Sequence, residues 1–343
     1  MTRKECSVLR GIAILCIVLH NYCKRVPFAV PENEYSFNLD NALLFWKTMQ
    51  WDTVFTQFFS FWGHLGVPVF VLLSGYGLAL KYDKAATLDW KTFLWKHYKK
   101  LCYPMVGGLL VYYIIMYVMA PSEYSGILDI FPLKKFFTQL TMTINLLPEP
   151  HKLILPGPYW YFGMTMQLYV IYLLLVYKRP TTWIILTATS IFVVSLFMET
   201  YLSLLIWLKI NAIGWLLPFA YGILLGRNND NKVFYHHAII LTFGALIATA
   251  LLSLTYYTWL LVPLSVAILA VSIVSIIPDI ISAIFDFVGK ISMYVFVIHP
   301  IVRELTFLYD LNPYCGILIY MTITLVLSYA VERIISMRHA LNF

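Results

Sequence analysis

Ser7-Val8-Leu9-Arg10-Gly11-Ile12-Ala13-Ile14-Leu15-Cys16-Ile17-Val18-Leu19-His20-Asn21-Tyr22 is an apolar run that follows the basic pair Arg3–Lys4. A charged start before an apolar stretch is also the layout of a secretory leader. Arg10 within the run, no small-residue cleavage site behind it and an apolar remainder of the chain point instead to a first membrane helix with its N-terminus inside. Working outward, 61% of the 343 residues are hydrophobic and 12% are charged, with a mean hydropathy of +0.77. Soluble domains run near half apolar and a quarter charged, so this composition excludes that class, along with disorder and a disulfide-rich secreted scaffold. Apolar residues spread along the whole chain exclude a single anchor on a soluble domain.

At ~20 apolar residues per crossing, the sequence has room for about ten spans. The candidates are 7–22, 58–80, 101–120, 158–177, 181–198, 204–225, 236–254, 257–277, 288–308 and 314–333. The expectation is an all-α, polytopic membrane helix bundle of about ten transmembrane helices, forming one domain over 1–343. The two long polar connections, 24–56 and 121–157, carry Trp46, Trp51 and Tyr124 and read as interfacial caps. Segments assigned inside carry fifteen Lys and Arg against eight outside, and Arg10, taken as buried, completes the 24. That bias places both termini in the cytoplasm. It also accounts for the net charge of +7 without nucleic acid. Cys6, Cys16, Cys23, Cys102 and Cys315 form no CxxC pair and no metal-ligand spacing, so no metal is expected.

Polar groups inside spans are costly and usually functional. The first helix has Arg10, His20 and Asn21. Arg10 is close enough to the inner boundary to snorkel. His20 is about 20 Å along the helix and is either a satisfied buried histidine or a catalytic one. His64 and His299 reach a similar depth, and Pro300 is expected to kink the helix behind His299. Arg303 and Glu304 read as an interfacial ion pair. Ser74-Gly75-Tyr76-Gly77 lacks the Thr-Val of a potassium filter. It reads as close helix packing or as the approach of a thin ligand, which makes Ser74 and Tyr76 donor-binding candidates. The basic, aromatic stretch Asp89–Pro104 holds Lys96, Lys99 and Lys100, either as a membrane anchor or as a phosphate site.

The order of motifs resembles the acyltransferase-3 family, the integral-membrane O-acyltransferases of bacterial surface glycans. The resemblance rests on Leu9–Leu15 leading to His20, on Gly66-Val67-Pro68-Val69-Phe70-Val71-Leu72-Leu73-Ser74-Gly75-Tyr76, and on Phe93–Pro104. It continues through Pro158–Phe162 with Gln167 and Tyr169, Leu217–Gly226 and Gly289–Pro300. It implies transfer of an acyl group, usually acetyl, from cytoplasmic acetyl-CoA to a sugar hydroxyl across a bacterial inner membrane. It also implies that Arg10 and His20 are an essential pair. Nine residues separate them here where the family has ten, which turns His20 about 80° from the face of Arg10 unless a helical bulge intervenes.

The chemistry asked of these residues is coherent. His20 suits a general base near neutral pH, and Asn21, Arg10 or a Lys could stabilise the thioester oxyanion. Lys96, Lys99 and Lys100 would meet the CoA phosphates. His64, Trp160, Gln167, Tyr169 and His299 would line the acceptor pocket. No Ser sits in a nucleophile motif, so direct transfer is expected over an acyl-Ser intermediate, with acylation of His20 itself as the open alternative. A glycan transporter or flippase is the competing class, and a lipid-binding scaffold a third.

Overall fold

The computed structural model describes residues 1–119, 133–228 and 236–341. Tyr124 and Lys232 lie outside these residues. The fold is 79% helix, with no strand among the described residues. Thr2 and Glu5 form a capping box that starts α1 (Arg3–Cys23). The short α2 (Leu39–Thr48) follows. Then α3 (Val54–Trp62), a tight turn over Gly63–Leu65 and α4 (Gly66–Tyr82) make one run. The Asp89 carboxylate accepts the Thr92 amide at 3.0 Å and begins α5 (Trp90–Met119). Longer helices that follow are α6 (Trp160–Ile171), α7 (Thr181–Leu196), α8 (Leu202–Ile210), α9 (Leu216–Arg227), α10 (Ala238–Leu252) and α11 (Val262–Ile273). The chain closes with α12 (Asp279–Lys290), α13 (Ser292–Val302) and α14 (Pro313–Leu341).

Among the described residues, five stretches are long and apolar enough to cross a membrane: Arg3–Cys23, Val54–Tyr82, Trp90–Met119, Gly157–Val176 and Pro313–Met337. Two of the expected spans are bent pairs, by 71° between α8 and Ala212–Arg227 and by 73° between α12 and α13, which raises the count to seven. The expected 181–198, 236–254 and 257–277 fold as the shorter α7, α10 and α11. Hydropathy counts apolar residues and does not register where the backbone turns. The bend before His299 falls at Ile291 rather than at Pro300, which stays inside α13. Likewise, α5 starts at Trp90 rather than at the expected 101, so the basic stretch around Lys96 opens that helix. Charge marks where a chain leaves lipid, whereas capping marks where a helix begins.

Small residues set the packing, as expected where lipid removes any hydrophobic drive for helix association. A Cβ on Gly75 would strike the Phe219 carbonyl, and one on Gly222 the Leu72 carbonyl, so α4 and α9 lie backbone to backbone. Gly11 and Gly289 do the same for α1 and α12. A Cβ on Gly66 would meet the Ala13 carbonyl, and one on Gly63 would lie 2.6 Å from the Cys16 carbonyl and 2.7 Å from the His20 Cβ. The Gly63–Leu65 turn is thereby pressed onto α1. Within its apolar window α1 is 67% buried, against 28% for the window of α14. The α3–α4 run is equally buried, so α1 and α3–α4 lie innermost among these spans, and α14 presents Leu318 and Val326 outward as a lipid-type face.

Candidate active site

The close approach of Gly63 and Gly66 brings the end of α3 against His20. There the imidazole Nδ1 lies 3.2 Å from the Phe59 carbonyl and 3.0 Å from that of Ser60. A carbonyl only accepts, so Nδ1 carries the proton and donates, which leaves the Nε2 lone pair on the other side of the ring. His20 is 2% exposed, and among the described residues Nε2 has no hydrogen-bond partner. His64, in the same turn, sets its ring edge-on to His20 with centroids 5.5 Å apart. The segment after α1 is tied down over this ring. Ser60 Oγ donates to the Val30 carbonyl, Gln57 accepts from the Val30 amide, and Trp259 Nε1 donates to the Asn33 carbonyl.

That segment delivers two carboxylates the sequence did not flag. Glu34 Oε2 lies 3.9 Å from His20 Nε2, and Glu32 pairs with Lys24 at 3.3 Å. Burial pushes the Glu34 carboxyl up to about 7 against the pull of Lys24, and the Glu32 charge adds to the rise. Burial would raise Glu32 as well, but Lys24 and His20 outweigh it and hold that carboxyl down at about 2. Ligand atoms of His20, Glu32 and Glu34 lie within 4.8 Å of one another, a donor set that could take a divalent cation. Lys24 already occupies Glu32 as a counter-charge.

On the far side of His20, Asn21 Oδ1 accepts from Arg303 Nη1 at 2.8 Å, while Asn21 Nδ2 donates to the Ile17 carbonyl. Arg303 is 6% exposed, so its expected ion pair with Glu304 forms inside the protein rather than at the interface. Glu304 serves mainly Arg25, which meets its two oxygens at 3.0 Å each, and reaches Arg303 at 3.3 Å. His20, Asn21, Lys24, Glu34, His64 and Arg303 line one cavity of about 160 Å³, whose other walls include the rings of Tyr35, Trp160, Tyr161 and Phe296.

Of the residues singled out from sequence, His20, Asn21, His64 and Trp160 meet in this cavity. Arg10 does not. It is exposed, its Nε donates to the Cys6 carbonyl, and α1 is α-helical throughout with no bulge to bring it round. At 1.5 Å per residue it sits about 15 Å along the axis from His20. Its company is electrostatic: Lys100 faces the charges of Arg10, Lys81 and Lys96. Lys99 instead lies over the Trp95 ring at 5.5 Å. Tyr169 also belongs to that end of the molecule, with its ring 4.2 Å from His97, which in turn meets Phe93 and Tyr82. Gln167 is used internally, donating to Asn211 and accepting from the Ala212 amide across the bend that follows α8. His299 is fully buried, its Nδ1 3.1 Å from the Val295 carbonyl, and it is not among the cavity-lining residues. Ser74 bonds the Phe70 carbonyl and interacts with the Tyr161 hydroxyl of the cavity wall. The Tyr76 hydroxyl donates to the Met1 carbonyl and accepts from the Met1 amine.

Sequence reasoning missed Glu34, Lys209 and the burial of Arg303. Lys209, 4% exposed, lies 4.1 Å over Trp259 and interacts with Glu34. No sequence signal marked Glu34, because the fourteen residues from His20 to Glu34 are long enough to carry it far from the ring.

Among the described residues, an all-helical bundle with membrane-length apolar helices, enclosing a cavity lined by His20 and Glu34, marks an integral-membrane protein. The chain matches the family model for the acyltransferase domain of the acyltransferase-3 type over residues 4–333, and it belongs to that family. No curated protein and no solved structure matches it.

Proposed function

We propose that this membrane acyltransferase moves an acyl group, acetyl in the simplest case, from cytoplasmic acetyl-CoA to a sugar hydroxyl of an exported or cell-surface glycan. His20 is the general base. The observation that carries the reading is the state of its imidazole. Backbone carbonyls hold Nδ1, and the buried Nε2 is left without a partner beside a cavity walled by aromatic rings. A base needs an available lone pair, and sugar rings offer apolar faces that aromatic side chains cover. No Ser, Thr or Cys is among the cavity-lining residues, which favours direct attack by the acceptor hydroxyl over an acyl-serine or acyl-cysteine intermediate.

In this reading the Arg10–Lys81–Lys96–Lys100 group receives the CoA phosphates at the cytoplasmic end, and both termini face the cytoplasm of a bacterial inner membrane. The bent pairs and the three shorter apolar helices then complete ten crossings. Cysteines introduced in 84–91 and in 130–150 should label from opposite sides. Purified protein in vesicles should release CoA from acetyl-CoA, and the His20→Ala variant should not. A transporter of the same fold would release none, and that result would remove the acyl-transfer reading.

A further inference from the structure

The buried guanidinium beside His20 has no role in the sequence pattern that marks the family's first helix, yet it is the group in the cavity whose electrostatics are unfinished. Lys24 has Glu32. Arg25 and Arg303 share Glu304, and Arg25 takes both of its oxygens at 3.0 Å, so one positive charge stays without a carboxylate of its own. Arg303 is fixed by Asn21 through Nη1 and by Glu304 through Nη2, and among the described residues its Nε has no hydrogen-bond partner. A buried charged donor left unpaired costs more than a neutral one, and such a cost persists where the partner arrives with the substrate. Asn21 is itself held in place, donating one amide N–H to the Ile17 carbonyl and accepting from Arg303 through Oδ1. Arg10, the other cation considered for the role, is about 15 Å away along α1.

Resting on the acyl-transfer reading, we propose that Arg303 stabilises the oxyanion formed at the acyl carbonyl, and that Asn21 is a positioning residue which holds the guanidinium. The acceptor oxygen attacks the thioester carbon and a C–O bond forms. The hydroxyl proton passes to His20 Nε2, and the carbonyl π pair moves onto oxygen next to Arg303. Collapse of this intermediate breaks the C–S bond, and the thiolate takes the proton from His20 Nε2, giving the ester and free CoA. Arg303 thus meets a charge that exists only between reactants and products, the kind of contact that raises kcat rather than tightening ground-state binding.

Acetyl-CoA hydrolysis in vesicles, with water as the acceptor, tests this without knowledge of the glycan. Arg303→Met should lower kcat by about 10²–10³-fold with the KM for acetyl-CoA changed by less than about threefold. Arg303→Lys should recover part of the loss. Asn21→Ala should cost about tenfold, and Asn21→Ala with Arg303→Met should be no worse than Arg303→Met alone, since the two act as a unit. Unchanged CoA affinity of each variant confirms that it is folded. If Arg303→Met and Arg303→Lys both hydrolyse acetyl-CoA at wild-type kcat while His20→Ala is dead, the oxyanion role is wrong and the guanidinium serves the acceptor instead. If wild type itself releases no CoA, the acyl-transfer reading fails and this inference falls with it.

Discussion

The two ends of α1 hold cationic groups that are built in opposite ways. At the Arg10 end, Lys100 feels the charges of Arg10, Lys81 and Lys96, and all four side chains are solvent-exposed. Like charges side by side are tolerated where water screens them, and such a cluster suits a multiply charged partner. At the His20 end the charges are interleaved, with Glu34 and Arg303 buried and Arg25 at the exposed rim: Lys24 with Glu32, Arg25 and Arg303 with Glu304, Glu34 beside His20. Charges in that setting keep fixed positions and act on their neighbours at nearly full strength. Under the proposed acyl-transfer reading, the contrast assigns charge capture to the first region and the handling of a proton and a transient anion to the second. About 15 Å of helix lies between them, the order of length of an extended pantetheine arm, so one CoA thioester could engage both.

The largest expected effect breaks the His20 end alone. His20→Ala should lower acyl transfer by about 10²–10⁴-fold while leaving CoA affinity intact. If His64→Ala or His299→Ala is dead and His20→Ala keeps substantial activity, the base is on another element and the contrast has been drawn around the wrong ring.

The next effect is confined to the Arg10 end. Replacing Arg10, Lys96 and Lys100 together with Gln should weaken CoA binding by on the order of tenfold or more, and raising salt should weaken wild type in the same direction. Lys99→Gln should do little, because that ammonium is turned onto Trp95. Isothermal titration with CoA separates the two sets. Equal losses from Lys99→Gln and from the triple variant would erase the distinction drawn between them.

The difference between the two ends also explains what sequence revealed. The helices with long apolar runs were legible, because membrane-length hydrophobicity is a local property. The bends at Asn211 and Ile291 were not, since each leaves the apolar count unchanged while turning the backbone. His20, Asn21, His64 and Trp160 stood out as polar or family-matched positions, and the fold brings them together. Arg10 was grouped with His20 because the resemblance pairs them, whereas a continuous α-helix with nine intervening residues keeps them apart. Glu34 was hidden because a carboxylate in a polar connection is unremarkable until the chain folds back. Its burial depends on Ser60, Gln57 and Trp259 tying residues 28–33 over α1.

Glu34→Gln gives the smallest and most diagnostic effect. Glu34 faces His20 at 3.9 Å, Lys24 and Glu32 beside it, Tyr35 as its hydrogen-bond donor and Lys209 from α8, with His64 and Arg303 lining the same cavity. When His20 takes a proton from the acceptor, an ionised Glu34 is the nearest charge that favours the imidazolium. Burial raises this carboxyl to about 7, so acidification below that pH protonates Glu34 and should slow transfer. Glu34→Gln should lower the rate by about tenfold at pH 8 and remove the acidic limb centred near 7, while Glu34→Asp should restore part of both. Stability should move the other way. The folded state binds more protons than the unfolded chain between about 4.5 and 7, so the carboxyl's contribution to stability declines as pH rises through that window. Above it a penalty of at most about 3 kcal/mol remains, which Gln relieves. The variant should therefore melt higher than wild type at pH 8 and about equally at pH 4.5. A wild-type pH–rate profile in Glu34→Gln would show that this carboxylate serves only to hold the loop. Slower turnover together with greater stability at high pH would mark a residue kept ionised in a buried place for the sake of the reaction.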